Sequence, residues 1–327
     1  MKRASLLLAR VAAGIFILVA LLWYLGPYED SDLSVRFDPA RFDEGVEAYF
    51  NSAEAQFDDI TPGTQKRVIW ADAPRARTDW VVVYVHGFSA TSEEIRPVPD
   101  RIAENLGANL IYTRLQGHGR GGDALATGTV QGWMMDVAEA LAAAREVGDR
   151  VLVISTSTGG TLMAAAAQDP AMIEDVAGIV FVSPNFGINN PLAPLLTWPA
   201  ARHWLPMLAG DRRSFPPRNE AQARYWTTEY PSVAAMPLAA LVQAVWRLDP
   251  ARAQVPALFW YSDKDMVVRP DLTADVAARW GGPVTVVHPQ LGAGDDGFAH
   301  VIAGDVLSPG QTDAVVAGVT DWLGALR

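Results

Sequence analysis

Ser157 sits in Ser155-Thr156-Ser157-Thr158-Gly159-Gly160, directly after the apolar run Val151-Leu152-Val153-Ile154 and before Thr161-Leu162-Met163-Ala164. A strand that turns sharply through small residues into a helix holds its central side chain strained and exposed, as a nucleophile requires. The spacing is that of G-x-S-x-G, with Ser155 in place of the first glycine. The same hydroxyl-rich run also reads as a helix N-cap, in which a serine oxygen satisfies free N–H groups. A serine nucleophile needs a base, and the base needs a group that orients it. The chain offers five histidines, His86, His118, His203, His288 and His300. Acids that could orient one of them occur in Ser262-Asp263-Lys264-Asp265-Met266-Val267-Val268, although Asp263 and Asp265 also read as turn formers.

The rest of the chain excludes several other chemistries. There is no cysteine, which rules out disulfides, thiolate nucleophiles and Cys-ligated zinc or iron–sulfur clusters. No H-E-x-x-H or related pairing appears, so no metal is expected. Asp295-Asp296 beside Gly297 reads as an exposed acidic turn rather than a cation site. No G-x-x-x-x-G-K and no strand-linked G-x-G-x-x-G is present, so no nucleotide cofactor is expected. The net charge is −11, and the first 27 residues carry Lys2, Arg3 and Arg10 with no acid, so the remainder is more acidic still. Such a body lacks the clustered Lys and Arg that nucleic-acid phosphates demand.

These side chains need a scaffold. Short continuous apolar runs recur at Val81–Val85, Leu110–Tyr112, Val151–Ile154, Gly178–Val182, Ala257–Tyr261 and Val284–Val287. Runs apolar at every position predict strands buried on both faces. The intervals predict helices over Gly132–Val147, Gly159–Gln168, Asp271–Trp280 and Gln311–Leu326. This alternation implies an α/β fold, a mostly parallel central sheet with helices on both faces. Residues 185–254 break the rhythm: they lack a strand run, carry Trp198, Trp204, Trp226 and Trp246, and are too long for a loop. They predict a mainly helical cap insertion at the C-terminal edge of the sheet, where ligands bind in open α/β sheets. Upstream, residues 28–79 read as a polar, acidic tether with a helix near Arg41–Phe57 and an early strand around Arg67–Trp70.

With these motifs in order, the chain from about Val68 to Arg327 resembles the α/β-hydrolase family, most nearly its esterase and monoacylglycerol-lipase-like branch. His86-Gly87-Phe88-Ser89 follows the first of the apolar runs, Gln116-Gly117-His118-Gly119 resembles the family's G-H-G loop, and Trp133 with Asp136 resembles its W-x-x-D. The resemblance implies a catalytic triad in the chain order Ser, acid, His. Ser157 becomes the nucleophile, and Asp265 the acid, with Asp263 as its competitor. His300, in Gly297-Phe298-Ala299-His300 beyond the last strand, becomes the base, with His288 as its competitor. The backbone N–H groups of Phe88 and Thr158 become the oxyanion hole, and His86 a loop-holding residue. The implied activity is a serine hydrolase acting on carboxylic esters through an acyl-enzyme, without a cofactor. An acyltransferase or amidase would use the same triad. Ser155 and Ser262, where the family often has glycine, also leave open an inactive binding protein on this fold.

Val11–Leu25 is an unbroken apolar run, and with Leu6–Ala9 it reaches about 20 residues, enough for the hydrocarbon core of a bilayer. Arg10 can snorkel towards the basic end, and Trp23 and Tyr24 fit the opposite interface. The run lacks the small-residue pattern of a cleavage site, so residues 1–27 are expected to be a retained single-pass anchor rather than a cleaved signal. The positive end puts residues 80–327, the expected hydrolase domain, on the non-cytoplasmic side, the periplasm in a bacterial cell.

Overall fold

The computed structural model describes residues 2–326, with side chains from Leu6 onward. Arg327 and the side chains of Lys2 and Arg3, which enter the expectations above, lie outside the described residues. In chain order the strands are β1 (Arg67–Ile69), β2 (Thr78–Val85), β3 (Asn109–Tyr112), β4 (Gly148–Thr156), β5 (Val176–Val182), β6 (Arg212–Ser214), β7 (Glu229–Pro231), β8 (Ala257–Trp260) and β9 (Val284–Val287). The helices are α1 (Lys2–Leu25), α2 (Val46–Glu54), α3 (Val98–Leu106), α4 (Gly122–Leu125), α5 (Val130–Val147), α6 (Thr158–Ala166), α7 (Ala201–Ala209), α8 (Glu220–Tyr225), α9 (Ala235–Val245), α10 (Pro270–Arg279) and α11 (Thr312–Ala325).

The main sheet runs β1-β3-β2-β4-β5-β8-β9, with β1 antiparallel to β3 and the other pairs parallel. The apolar runs at its centre are explained by burial on both faces. Val81, Val83, Val85, Val151, Val153, Ile179 and Phe181 face α5, α6 and α9, while Val82, Tyr84, Leu152, Ile154, Val180 and Val182 face α3 and α11. β9 departs from this expectation. It is one of the two edge strands, and Val284 and Val286 are exposed.

Three further differences have local causes. The helix expected over Arg41–Phe57 is broken into a 3-10 turn at Pro39–Phe42 and α2, because Gly45 between them has φ of 94°. Residues 28–79 are not a free tether. Val35, Phe42, Val46 and Phe50 join the core against α5, and the buried Glu54 carboxylate accepts from Arg114 Nε at 2.8 Å and Nη2 at 2.9 Å. The interval 185–254 contains the hairpin β6–β7, whose three-residue strands are too short and polar to leave an apolar signature. Its last helix, α9, buries Leu238, Leu241 and Val245 in the main core, so it flanks the sheet.

From Leu6 to Leu25 α1 is apolar apart from Arg10, has no buried residue, and is long enough to cross a membrane. Its C-terminal end meets the residues around α7. Ala200 N–H donates to Pro27 C=O at 2.7 Å, Arg202 pairs with Glu29, and the Trp23 and Trp198 rings meet edge-to-face at 5.8 Å.

Candidate active site

β4 delivers Ser157 to a tight turn in which φ is 51° and ψ is −114°, a strained conformation for a residue with a Cβ. The surroundings hold it there. Ser157 N–H donates to Val182 C=O at 3.0 Å, and its own C=O accepts from Asn185 N–H at 3.0 Å. At Gly159 a Cβ would come 2.1 Å from Val85 C=O, so this position must be glycine for α6 to pass β2. Ser155 is accommodated because its buried hydroxyl donates to Val180 C=O at 3.0 Å. The Ser157 side chain makes no capping hydrogen bond to α6, which sets the N-cap reading aside.

The Ser157 hydroxyl faces His300 instead. His300 Nε2 lies 3.1 Å from Ser157 Oγ, and Nδ1 lies 2.8 Å from Asp265 Oδ2. The other Asp265 oxygen accepts from Val267 N–H at 2.8 Å and Val268 N–H at 2.9 Å, which fixes the carboxylate after β8. An acceptor at Nδ1 places the imidazole hydrogen there, so Nε2 is free to accept from the serine hydroxyl. Burial pulls the His300 pKa down, but the Asp265 charge and hydrogen bond, with Glu94 and Asp296 adding to them, hold it above the ordinary value. The competitors lie elsewhere. Asp263 and His288 are exposed and approach each other at 3.4 Å.

Asp295 and Asp296 correct the sequence reading. Both are buried, and both organise the loop that carries His300. Asp296 Oδ2 accepts from His300 N–H at 3.1 Å and Val301 N–H at 2.9 Å, and Arg218 binds Oδ1 at 2.9 Å. Asp295 accepts from Gly292 N–H, Gly310 N–H and the Gln311 amide. These carboxylates are already engaged, and among the described residues no cluster of three His, Cys, Asp or Glu could hold a metal.

The loop after β2 forms the opposite wall. Phe88 and Thr158 line the same cavity as Ser157 and His300, and neither backbone N–H has a protein acceptor among the described residues. His86 holds this loop. Its Nδ1 lies 2.9 Å from Gly87 C=O, and Nε2 accepts from Leu115 N–H at 3.1 Å. Complete burial pushes its pKa down to about 4, so it stays neutral. His118 is buried against Phe88 and Trp133, and its pKa lies well below the ordinary value for the same reason. The W-x-x-D motif clamps one backbone site. Trp133 Nε1 donates to Gln116 C=O at 2.9 Å, and Asp136 accepts from Gln116 N–H at 2.6 Å.

Glu94 was not singled out by the sequence. It is buried beside Ser157, accepts from Gly87 N–H at 2.7 Å and from Tyr84 OH at 2.8 Å, and lines the cavity. Burial raises its pKa against the lowering effect of those two donors. Its only sequence signal is an acid seven residues after Gly87, in a segment with no periodicity. Arg218, which steadies Asp296 from the cap, gave no signal either, because the contact joins distant parts of the chain.

The cavity in front of Ser157 measures about 450 Å³. Its walls are mainly apolar, with Ile188, Leu196, Phe215, Trp226 and Leu238 from the 185–254 interval and Phe298 and Leu307 from the His300 side. Glu94, Asn185 and Gln222 add polar groups. A site of this kind can attack a carbonyl, stabilise the resulting oxyanion and hold an apolar acyl chain.

The sheet order and the strand-turn-helix at Ser157 define an α/β-hydrolase fold. The chain belongs to the serine aminopeptidase S33 family, whose model matches residues 76–288. No curated protein sequence matches it. Among solved structures, it is similar to one from work on the metagenome-derived lipolytic enzymes LipS and LipT, with 20% identity, a TM-score of 0.66, and 81% of this chain and 99% of that one covered. It is also similar to a soluble variant of Saccharomyces cerevisiae monoglyceride lipase in complex with a substrate analogue, with 12% identity, a TM-score of 0.58, and 83% and 97% covered. For a monoacylglycerol lipase of Paleococcus ferrophilus the values are 13%, 0.53, and 80% and 100%. At these identities the likeness establishes the fold.

Proposed function

We propose that this protein is a membrane-anchored serine hydrolase that cleaves carboxylic esters of lipid-like or acyl type. The observation that carries the reading is the Asp265–His300–Ser157 hydrogen-bond chain, which opens onto a mostly apolar cavity. Ser157 Oγ attacks the ester carbonyl while His300 Nε2 takes its proton. The carbonyl oxygen becomes an oxyanion held by Phe88 and Thr158 N–H. The C–O bond to the alcohol then breaks, and His300 returns the proton to the leaving alkoxide. Water attacks the acyl-enzyme by the same route and releases the acid and free Ser157. No step needs a cofactor. α1 supplies the anchor, residues 28–79 connect it to the sheet, and residues 185–254 roof the site on the non-cytoplasmic side.

The test is fluorophosphonate labelling of the membrane fraction, wild type beside Ser157→Ala. Labelling of wild type alone, at full length, is expected, with turnover of acyl esters lost by about 10⁶ in the variant, by analogy with a subtilisin triad knockout. An unlabelled, folded wild type would favour an inactive binding protein. The family's description as serine aminopeptidases supports a second reading, an amidase using the same residues. Comparing ester with amide substrates of one acyl group separates the two, and adding a competing alcohol detects acyl transfer.

A further inference from the structure

Outside α1, the most exposed large apolar side chains of the described residues lie close together in sequence. Leu208 is 79% exposed, Met207 77% and Leu192 66%, and Trp198 beside them is 45% exposed. Met207 and Leu208 lie in α7, Trp198 lies just before it, and Leu192 is the N-cap of the 3-10 turn Ala193–Thr197 that packs on α7. Water-exposed clusters of this kind mark a surface that something covers.

The chain itself points to the occupant. α7 begins at the place where the polypeptide leaves α1, with Pro27 bonded to Ala200, Glu29 to Arg202, and Trp23 packed on Trp198. Leu208 is six residues beyond Arg202 on the same helix, about 9 Å along its axis. α1 is apolar from Leu6 to Leu25 apart from Arg10, and the body buries none of that stretch. Whatever solvates the C-terminal end of α1 is therefore in contact with the start of α7. Trp23 and Trp198 sit at that junction, and amphipathic rings favour the boundary between hydrocarbon and headgroups. Leu196, in the turn just before Trp198, points the other way and lines the cavity in front of Ser157.

We propose that Leu192, Trp198, Met207 and Leu208 form a rim that rests in the interfacial layer of the phospholipid bilayer crossed by α1, and that this rim passes bilayer-dissolved ester to the cavity. The second half rests on the hydrolase reading above. Cleavage behind α1 would cut the Trp23–Trp198 contact, so the rim also gives a retained helix a structural role.

Because the chain has no cysteine, Leu208→Cys, Val19→Cys and Asp149→Cys each create a single labelling site. Each full-length variant carries an environment-sensitive nitrobenzoxadiazole label in nanodiscs of phosphatidylethanolamine and phosphatidylglycerol, with nitroxide-bearing lipid as quencher. The expected result is a blue-shifted, quenched label at 208, deep quenching at 19, and a polar, unquenched label at 149. A label at 208 that behaves like the one at 149 overturns the proposal, whereas the label at 19 separately reports whether α1 spans. In a second assay, Met207→Glu with Leu208→Glu should lower turnover of a long-chain ester held in the nanodisc about tenfold. Hydrolysis of p-nitrophenyl acetate should not change. Equal effects on both substrates, or no effect, overturn delivery by the rim. A wild type inert towards p-nitrophenyl acetate overturns the hydrolase reading, while the label at 208 still decides where the rim lies.

Discussion

His300 is poised by its neighbours, and the direction of that effect can be measured. It must be neutral to accept the Ser157 proton, and Asp265, Glu94 and Asp296 hold its pKa above the ordinary 6.5. Activity should therefore rise with pH through a midpoint above that of a free imidazole. A kcat/KM profile whose acid limb falls at or below 6.5 would show that burial outweighs those charges at His300. Asp265→Asn removes the charge and favours the wrong tautomer, with an expected loss of about 10⁴ in kcat, as in the serine-protease template. Glu94→Ala leaves Gly87 N–H without its acceptor and Tyr84 OH with Thr156 Oγ1 alone, at about 1–3 kcal/mol for a buried group. It should lower kcat more than it raises KM, because the loop it frees carries Phe88 N–H. His86 gives a direct check on burial. Its imidazole NMR signals should stay those of the neutral ring until pH approaches about 4. Ser157 was legible in the sequence because its strand-turn-helix setting marks it, whereas Asp265 and His300 were singled out only by the chain order that the family resemblance implies. The sequence left Asp263 and His288 open as competitors, and the structure turns these two towards each other in solvent. Glu94 was illegible because its partners are a backbone N–H and a tyrosine on β2, and neither leaves a pattern.

At the scale of elements, the central strands were readable from continuous apolar runs, since two buried faces leave no room for polar alternation. α3 was not anticipated. Its sequence, Val98-Pro99-Asp100-Arg101-Ile102-Ala103-Glu104-Asn105-Leu106, is short, and its buried stripe faces a sheet that the local sequence does not display. Gly159 shows how closely two elements can approach. Gly159→Ala places a methyl group 2.1 Å from the Val85 carbonyl oxygen, so α6 must shift, and both Ser157 geometry and stability should suffer. Thermal melts with fluorophosphonate labelling would show both losses. The Glu54–Arg114 pair belongs to the same scale. Glu54→Ala strands a buried guanidinium, and a loss of about 3–5 kcal/mol in urea unfolding is expected.

For the whole molecule, residues 28–79 belong to the folded body even though their composition reads as a tether. A chain starting at residue 76, where the family match begins, lacks Phe42, Phe50 and Glu54, and it also lacks the edge strand β1. It should not fold cooperatively. A chain lacking only residues 1–26 keeps that core and should melt cooperatively, with active-site labelling intact. Circular dichroism melts of the two truncations make the comparison. The connection at Pro27 has a further consequence. Only Gly26 separates the last residue of α1 from the carbonyl that bonds Ala200, so the body has no leash. An anchored enzyme built this way cannot sweep a volume of solvent in search of its substrate. On the anchored-esterase reading proposed above, the body diffuses with its helix in two dimensions and the concentration that governs its rate is the mole fraction of ester among the surrounding lipids, so diluting the membrane with inert lipid should slow it while diluting the buffer should not.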